Sequence, residues 1–362
     1  MSAPVWRHAA FTLRLRHTFR IARGASNTRD TVIVALHKDG IVGLGEGAPP
    51  ARYGESLAAT IAALPGYLAD VAVPEPQWPS LDALVTPDAP GLCALRMAAD
   101  SALHDWFAKA HRAPLHALLG LAPETAPQTS FTIGIERPES LAERLREGDA
   151  FPAIKLKLGG PEDEASLRAV RAATDKTIRV DANEAWTLDD ALRRAELCAE
   201  MGVELIEQPL PAGRLDETAR LRTRSAVPIF ADEDFRTAED AARLAGVYDG
   251  VNVKLAKCGG IGPALEAIRA ARHHGLRVLL GCMIESSVGI AAAAQIASLV
   301  DFSDLDGAIL TANDPASGLR LVGGRLLPGP GPGLGIAIRD EDLARTLDVP
   351  AGRSRAVEGD AR

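Results

Sequence analysis

The segment that decides the fold is IKLKLG at residues 154–159, a short apolar strand pattern with lysines at alternate positions. It belongs to a series of eight apolar or β-branched runs after Pro127, which are separated by helical stretches rich in Ala, Leu, Arg and Glu. This alternation is typical of repeated βα units with a parallel sheet. The predicted strands are 130–135, 153–158, 178–181, 205–208, 229–232, 250–254, 277–281 and 302–306. Eight units favour a closed barrel, although strand count alone leaves a doubly wound open sheet as an alternative.

The segments on either side of the βα repeats have different patterns. Alternating residues predict an antiparallel meander of strands at 11–15, 31–37 and 41–45, and residues 55–70 and 91–109 show helical spacing. A proline-rich stretch, 74–90, separates these two helices, and GLGEG at 43–47 falls in the meander, where a nucleotide-binding loop is not expected. After the repeats, residues 323–335 predict an extended crossing, a helix follows at 340–347, and the tail from residue 350 is predicted to be disordered. The predicted domains are therefore 1–122, 123–320 and 321–362.

Composition narrows the class of protein. The 362 residues carry 40 basic and 48 acidic side chains and no long basic run, which argues against nucleic acid or an anionic membrane as a partner. The N-terminal segment lacks the apolar core of a signal peptide, and no uncharged apolar stretch reaches the length of a membrane span. The four cysteines are scattered, so a disulfide framework or a zinc knuckle is not indicated. We expect a cytoplasmic protein that acts on a small molecule, and the sequence leaves a homo-oligomer open.

Acidic residues close three successive predicted barrel strands. Asp181, Glu207 and Asp232 are spaced at about the length of one βα unit, so their side chains should meet at the rim where a barrel carries its chemistry. Any one of them alone could be a helix N-cap or a solvated loop residue. Together they offer three carboxylates to a hard cation, and no histidine or cysteine lies near them in the sequence, so the pattern favours Mg²⁺ over zinc.

Lysines close two further strands. Lys155 and Lys157 are two apart on one strand and therefore point to the same face, whereas Lys254 ends a strand on the opposite side of the predicted barrel. A neighbouring cation, reinforced by the metal and by desolvation, would lower a lysine pKa towards the range of a general base. Two opposed lysines could remove an α-proton from one face of a metal-bound carboxylate substrate and return one to the other face, with the metal stabilising the developing charge. The alternative is that they are unrelated surface lysines.

These motifs together resemble the enolase superfamily, in particular its muconate-lactonising subgroup and the L-Ala-D/L-Glu and related dipeptide epimerases. The resemblance covers nearly the whole chain. It is carried by FRIARGAS (19–26), RYGES (52–56), IKLKLG (154–159), VDANEAW (180–186), EQPLPA (207–212), ADED (231–234), VNVKLAKCGG (251–260), GCMIESS (281–287) and DLDG (304–307). It implies an α/β fold, a modified TIM barrel (β/α)7β with an N-terminal α+β capping domain that the C-terminal segment completes. It also implies that Mg²⁺ binds the three acids, that Lys157 and Lys254 are the two acid/base catalysts, and that Lys155 assists them.

The same resemblance implies roles in substrate binding. Asp304 and Asp306 are expected to hold the α-ammonium of a dipeptide, as carboxylates can on electrostatic grounds. Arg20 and Arg23, in the first capping loop, are candidates for contact with the distal end of the substrate, where an arginine could clamp a carboxylate. Tyr53 in the second capping loop is a further candidate.

Two acids at other strand ends have less certain roles. Glu285 follows the seventh predicted strand, and we consider it a candidate substrate contact or a partner for backbone groups. Asp234 stands where members of the resembled family usually have Ser, and its position two residues after Asp232 predicts an additional acid that points inward.

Three hypotheses follow for the activity. The first is an isomerase that epimerises L-Ala-D/L-Glu or a similar dipeptide through a metal-stabilised enediolate. The second is another reaction of the subgroup, as in a cycloisomerase, an o-succinylbenzoate synthase or an N-acylamino acid racemase, whose substrates lack a free α-ammonium. The third is a binding or structural protein without turnover, which would have no use for two opposed bases.

Overall fold

The computed structural model describes residues 2–75, 81 and 84–352. Part of the proline-rich stretch predicted at 74–90, and most of the tail predicted to be disordered, lie outside these residues. A search of the described helices finds none that is long and apolar enough to cross a membrane.

The N-terminal residues form the predicted meander. Its strands, β1 (Val5–Ile21), β2 (Gly24–Lys38) and β3 (Ile41–Gly47), are antiparallel neighbours in that order and are longer than the predicted segments. Helices α1 (Leu57–Asp70) and α2 (Cys93–Ala110) agree with the two predicted helical stretches. They enclose an apolar core with the sheet, so this part of the chain has the predicted α+β character.

Glycines in β3 set the close approach of the sheet to α2. Gly43, Gly45 and Gly47 alternate along the strand and therefore face the same side. A Cβ atom on Gly45 would lie 2.0 Å from the carbonyl oxygen of Ala98, and Cβ atoms on Gly43 and Gly47 would lie 2.1 and 2.0 Å from other carbonyl oxygens of α2. The glycine-rich segment is thus a packing motif within the meander, as its sequence context suggested.

The second part of the chain is a closed parallel barrel. The strands are β4 (Ser130–Ile133), β5 (Ala153–Lys157), β6 (Thr177–Asp181), β7 (Val203–Glu207), β8 (Ile229–Ala231), β9 (Gly250–Val253), β10 (Arg277–Gly281) and β11 (Phe302–Asp304). Each strand is hydrogen-bonded to its sequence neighbour, and a parallel bridge between Thr129 and Ser303 brings the first strand to the last. The Oγ1 of Thr129 also accepts the N–H of Leu305 at 2.8 Å. This order excludes the doubly wound sheet, in which the strand order reverses.

Helices follow the first seven barrel strands. After α3 (Leu115–Leu118), which precedes the barrel, they are α4 (Leu141–Glu147), α5 (Asp163–Ala173), α6 (Leu188–Glu200), α7 (Leu215–Arg224), α8 (Ala241–Leu244), α9 (Leu255–Cys258), α10 (Ile261–His273) and α11 (Ser287–Ala294). Helix α6 shows how they are specified: the Thr187 side chain caps its first turn, and Ala191, Ala195 and Cys198 form its buried stripe. The chain after β11 enters a loop, which confirms the (β/α)7β arrangement.

The C-terminal segment returns to the N-terminal part. It contains β12 (Ala316–Ser317), β13 (Arg320–Val322), β14 (Arg325–Leu327), β15 (Ala337–Ile338) and α12 (Glu341–Leu347), so the predicted extended crossing includes a strand of a small hairpin. The N–H of Leu334 donates to Asp105 of α2 at 2.7 Å, and the ring of His37 in β2 bonds the carbonyl oxygen of Leu347 at 2.9 Å. These contacts agree with a capping unit built from both ends of the chain, while the proposed domain bounds remain a prediction.

We predict that Gly45→Ala lowers the free energy of unfolding by about 3 kcal/mol or more, because the added methyl group overlaps backbone atoms of α2 that cannot move independently. Urea denaturation measures the change. The matched control is Gly66→Ala in α1, where a Cβ meets no atom within 4 Å. That variant should gain roughly 0.5–1 kcal/mol from helix propensity. Equal effects of the two substitutions would contradict this account of β3 packing.

Candidate active site

A cavity of about 590 Å³ lies where the carboxyl ends of the barrel strands meet the capping loops. Its barrel side is lined by ionisable side chains that end or follow the strands, and its outer side by the β1–β2 hairpin and the loop after β3. The chemistry-bearing strand ends therefore converge on one enclosed space, as their spacing predicted.

The predicted carboxylate triad is assembled. Asp181 ends β6, Glu207 ends β7, and Asp232 directly follows β8; all three are buried, and one oxygen from each lies within 4.8 Å of the others. The parallel register of β6 and β7 places Asp181 beside Glu207. An all-oxygen donor set of this size, with space beside it for further oxygen ligands, fits Mg²⁺.

Lysines from opposite sides of the barrel approach the triad. The Nζ of Lys157, at the end of β5, lies 2.6 Å from Oδ2 of Asp181, and the Nζ of Lys254, after β9, lies 2.8 Å from Oδ2 of Asp232. Both residues are buried and line the cavity. The two amines thus reach the same space from different barrel strands.

The protein's own charges raise the pKa of Lys155 and Lys254, and the lowering expected from a neighbouring cation together with the metal stays a prediction. Burial acts to lower the pKa of Lys254, but the charges of Asp232 and Glu207 outweigh it and raise the pKa. Burial also acts to lower the pKa of Lys155, but the carboxylates of Asp304 and Glu207, each 2.7 Å from its Nζ, outweigh it and raise the pKa. Acids outnumber cations around these ammonium groups, which the one-dimensional spacing could not reveal.

Glu207 carries the opposite electrostatic signature. Burial, together with the nearby charge of Asp181, raises its pKa to about 7 despite the contact with Lys155. A carboxylate whose charge is incompletely compensated is a favourable ligand for an additional cation. This supports the fit of the triad to a metal ion.

Lys257 is a component of the site that the sequence analysis missed. Its Nζ donates to Oδ1 of Asp232 at 2.6 Å and to the carbonyl oxygens of Asp232, Phe235 and Asn252 at 2.7, 2.8 and 2.8 Å. The side chain is completely buried in the short helix α9. Lys257 therefore fixes the orientation of Asp232, and a lysine among the apolar residues of VNVKLAKCGG was the available signal.

The two acids of the DLDG motif both face the cavity but differ in their partners. Asp304 accepts from Ser130 Oγ at 2.5 Å and from Lys155 at 2.7 Å, and although burial raises its pKa, Lys155 brings it below the ordinary value. Asp306 accepts from the N–H and hydroxyl of Thr132 at 2.6 and 3.1 Å. Burial and the charge of Asp304 raise the pKa of Asp306 to about 7. Of the pair, Asp306 is the acid whose negative charge is less compensated by cations.

The capping loops bring Arg23 and Tyr53 to the cavity wall but not Arg20. The Nη1 of Arg23 lies 2.7 Å from Oε1 of Glu233, and the guanidinium of Arg236 stacks 4.5 Å from the ring centroid of Tyr53. Arg20 instead lines a separate cavity with His17, because successive strand residues face opposite sides and its neighbour Ile21 faces the main cavity. The predicted substrate contact by Arg20 is therefore not supported by its position.

Glu285, a predicted candidate for substrate contact, is buried and lies behind the cavity wall. Its Oε1 accepts the N–H of Met283 at 2.9 Å, and burial with the nearby carboxylate of Glu46 raises its pKa to about 8. The residues before it, Met283 and Ile284, line the cavity instead. Of its two predicted roles, the structure favours the partner for backbone groups.

The prediction that Asp234 points inward is wrong. Strand β8 ends at Ala231, so strand alternation does not extend to Asp234, which accepts from Tyr248 Oη at 2.7 Å and from Gln208 Nε2 at 3.0 Å. Glu233 faces the cavity in its place, and burial beside Asp232 raises its pKa to about 8. The acidic run ADED does contain a second acid that faces the cavity, but extending the strand alternation beyond Ala231 assigned that position to Asp234 and not to Glu233.

Family models match the chain in two parts. The model described as the mandelate racemase/muconate lactonizing enzyme N-terminal domain matches residues 8–120. The model described as enolase C-terminal domain-like matches residues 138–343.

Individual relatives match over most of their length. An L-Ala-D/L-amino acid epimerase of Pedosphaera parvula is 40% identical, covering 87% of this chain and 93% of that protein. A hydrophobic dipeptide epimerase of Roseobacter litoralis is 42% identical, with coverage of 87% and 94%. The crystal structure of a dipeptide epimerase from Enterococcus faecalis V583, complexed with Mg and the dipeptide L-Leu-L-Tyr, has a TM-score of 0.83 at 31% identity and covers 91% of this chain and 98% of that chain. These similarities identify the chain as an isomerase.

We predict that Glu285→Gln stabilises the protein increasingly as pH rises from 5 to 8. The folded state raises the pKa of Glu285 from 4.5 to about 8, so it binds more protons than the unfolded state, and wild-type stability falls with pH across this window. The variant should gain about 3–4 kcal/mol relative to wild type over the window, measured by urea unfolding in EDTA. Glu266→Gln, at an exposed position of α10, serves as the control. A difference that is constant with pH would contradict the assignment.

Proposed function

This chain belongs to the mandelate racemase/muconate lactonizing enzyme family of the enolase superfamily, and from that premise we propose that it is a Mg²⁺-dependent dipeptide epimerase. The observation that carries the proposal is the placement of Lys157 and Lys254 on opposite barrel strands around one carboxylate triad, with Asp306 facing the same cavity. The Mg and dipeptide named for the Enterococcus faecalis structure give it further support. A reducing cytoplasm is the setting we propose, since all four cysteines are free.

Asp181, Glu207 and Asp232 would hold the metal ion. When bound, Mg²⁺ supplies positive charge that stabilises the second negative charge developing on the substrate carboxylate as the α-proton leaves. Lys257 holds Asp232 in its orientation throughout, and Lys155 bridges Glu207 to Asp304.

The proton transfer itself falls to Lys157 and Lys254. In one direction, one lysine starts as the free amine and removes the α-proton, while the other starts as the ammonium ion and donates a proton to the opposite face of the α-carbon. In the reverse direction the roles exchange. Each Nζ is ion-paired with a triad carboxylate, and a cation bound to that carboxylate would compete with this ion pair.

The two ends of the substrate would be held by different parts of the cavity. Asp306, assisted by Asp304, would accept the α-ammonium of a dipeptide. Arg23 and Tyr53 would contact the distal side chain of the substrate. The described contacts of Arg23 with protein acceptors all use Nη1, and we propose its other N–H groups as donors to the substrate.

The alternative is another reaction of the same subgroup, such as cycloisomerisation, o-succinylbenzoate synthesis or N-acylamino acid racemisation. It would use the same lysines and triad. Its substrates carry no free α-ammonium, so Asp306 separates the two proposals experimentally.

We predict that Lys157→Met and Lys254→Met each reduce epimerisation of L-Ala-L-Glu by roughly 10³-fold, the size of a general acid/base contribution. In D₂O with Mg²⁺, each variant should still exchange the α-proton of one epimer only, because one base remains on one face. Mass spectrometry of the separated epimers measures this. Lys176→Met, which directly precedes β6 at the end opposite to Asp181, is the control. Retained epimerisation in either variant would rule out the two-lysine mechanism.

We predict that Asp306→Asn lowers kcat/KM for L-Ala-L-Glu by roughly 10- to 100-fold through loss of a charge-assisted hydrogen bond. The same substitution should lower kcat/KM far less for an N-acetylated dipeptide, since that substrate carries no ammonium group. Asp216→Asn, at an exposed position of α7, controls for loss of a negative charge. An equal loss for free and acylated substrates would favour the alternative reactions.

A further inference from the structure

Glu184 connects three segments at the mouth of the cavity. Its Oε1 accepts from Arg52 Nη2 at 2.8 Å and from the N–H of Ala212 at 2.9 Å, and its Oε2 accepts from Arg52 Nε at 2.7 Å and Arg23 Nη1 at 2.9 Å. Arg23 lies at the tip of the β1–β2 hairpin, and Arg52 lies in the loop after β3. Glu184 itself follows β6, so a single barrel carboxylate holds both capping loops.

The local structure presents this carboxylate firmly. Its side chain is 10% exposed, and the N–H of Glu184 donates to the carbonyl oxygen of Gln208 at 2.9 Å. The backbone adopts left-handed φ values of 45° at Asn183 and 71° at Glu184, which non-glycine residues adopt at a cost. Burial raises the pKa of Glu184, but the hydrogen bonds and charges of Arg52 and Arg23 and the N–H of Ala212 outweigh it and lower the pKa. The ionised form that binds both arginines is therefore favoured.

Each capping loop has a second attachment that differs from the first. The hairpin is held again through Arg23 to Glu233 of the barrel. The loop after β3 is anchored within the capping unit, where Glu55 accepts the N–H groups of Cys93 and Ala94 at 3.0 Å each. If Glu184 were neutral, the loop after β3 would keep its attachment through Glu55 and lose its ion pair with the barrel.

We propose that Glu184 is a positioning residue that latches both capping loops over the cavity. The loops supply the outer wall of the cavity, so their release would expose the substrate position and the two lysines to solvent. Its catalytic consequence rests on the proposed epimerase function, whereas the latch itself does not.

The test of the latch uses trypsin on the full chain without metal or substrate, with peptide mapping of cleavage after Arg23 and Arg52. Glu184→Gln keeps the shape of the side chain and removes its charge, and we expect both cuts to become about 10-fold faster as the loops open more often. Glu164→Gln, which removes one partner of the exposed Glu164–Arg193 pair, is the matched control and should leave both rates unchanged. Unchanged cleavage in Glu184→Gln would overturn the latch.

Two further measurements separate the latch from a general loss of structure and from the proposed activity. Arg52→Met breaks the same contact from the loop side and should also accelerate cleavage after Arg23; no acceleration would overturn a shared latch.

For dipeptide epimerisation, Glu184→Gln should raise KM about 10-fold with a smaller change in kcat, and Glu184→Asp should recover part of the loss. Unchanged kinetics beside faster cleavage would overturn the positioning role. Inactivity of the wild type beside faster cleavage in the variant would support the latch and refute the epimerase.

Discussion

The constraint on which the site depends is the compensation of buried charge at the barrel mouth. Four buried ammonium groups face five buried carboxylates. The ammonium groups belong to Lys155, Lys157, Lys254 and Lys257, and the carboxylates belong to Asp181, Glu207, Asp232, Asp304 and Asp306. Burying any of these charges without a partner would be costly, so every strand end must be held in register with its neighbours. Within this set of five acids, Glu207 and Asp306 have pKa values raised to about 7, which shows that their charges are incompletely compensated. They lie at the two places where a metal ion and a substrate ammonium are proposed to bind.

Much of this arrangement could be predicted from sequence because barrel geometry converts chain position into spatial position. Strand alternation placed Lys155 and Lys157 on one face, and the spacing of the βα units placed three acids on successive strands. The same rule failed where a strand stopped early: β8 ends at Ala231, so Asp234 turns towards Tyr248 and Glu233 enters the cavity. The pairing of Lys155 with acids from distant strands, which raises its pKa, depends on closure of the barrel and leaves no local trace in the sequence.

The capping unit was predictable in its packing and less so in its contacts. The alternation of three glycines in β3 fixes how closely α2 can approach, and this is a local property of the strand. Loop side chains have no such periodicity to constrain them. Arg23 reaches the cavity while Arg20 lies in a neighbouring one, and both arginines of the loop tips that approach the barrel meet a single acid, Glu184. Glu184 reaches this position through the left-handed turn after β6, and the sequence pattern did not predict that turn.

The contacts of the four buried lysines support different roles for them without reference to any relative. Lys155 holds Asp304 in addition to two triad acids, and Lys257 holds three carbonyl oxygens in addition to Asp232, so each would keep partners if a cation took over the triad. Lys157 and Lys254 have Asp181 and Asp232 as their carboxylate partners within the described chain. A cation bound to these acids would therefore compete for the carboxylate partners of two lysines and leave the other two fixed. The two lysines that face this competition are the ones on opposite sides of the cavity, which is the arrangement that a proton transfer between the two faces of one carbon requires.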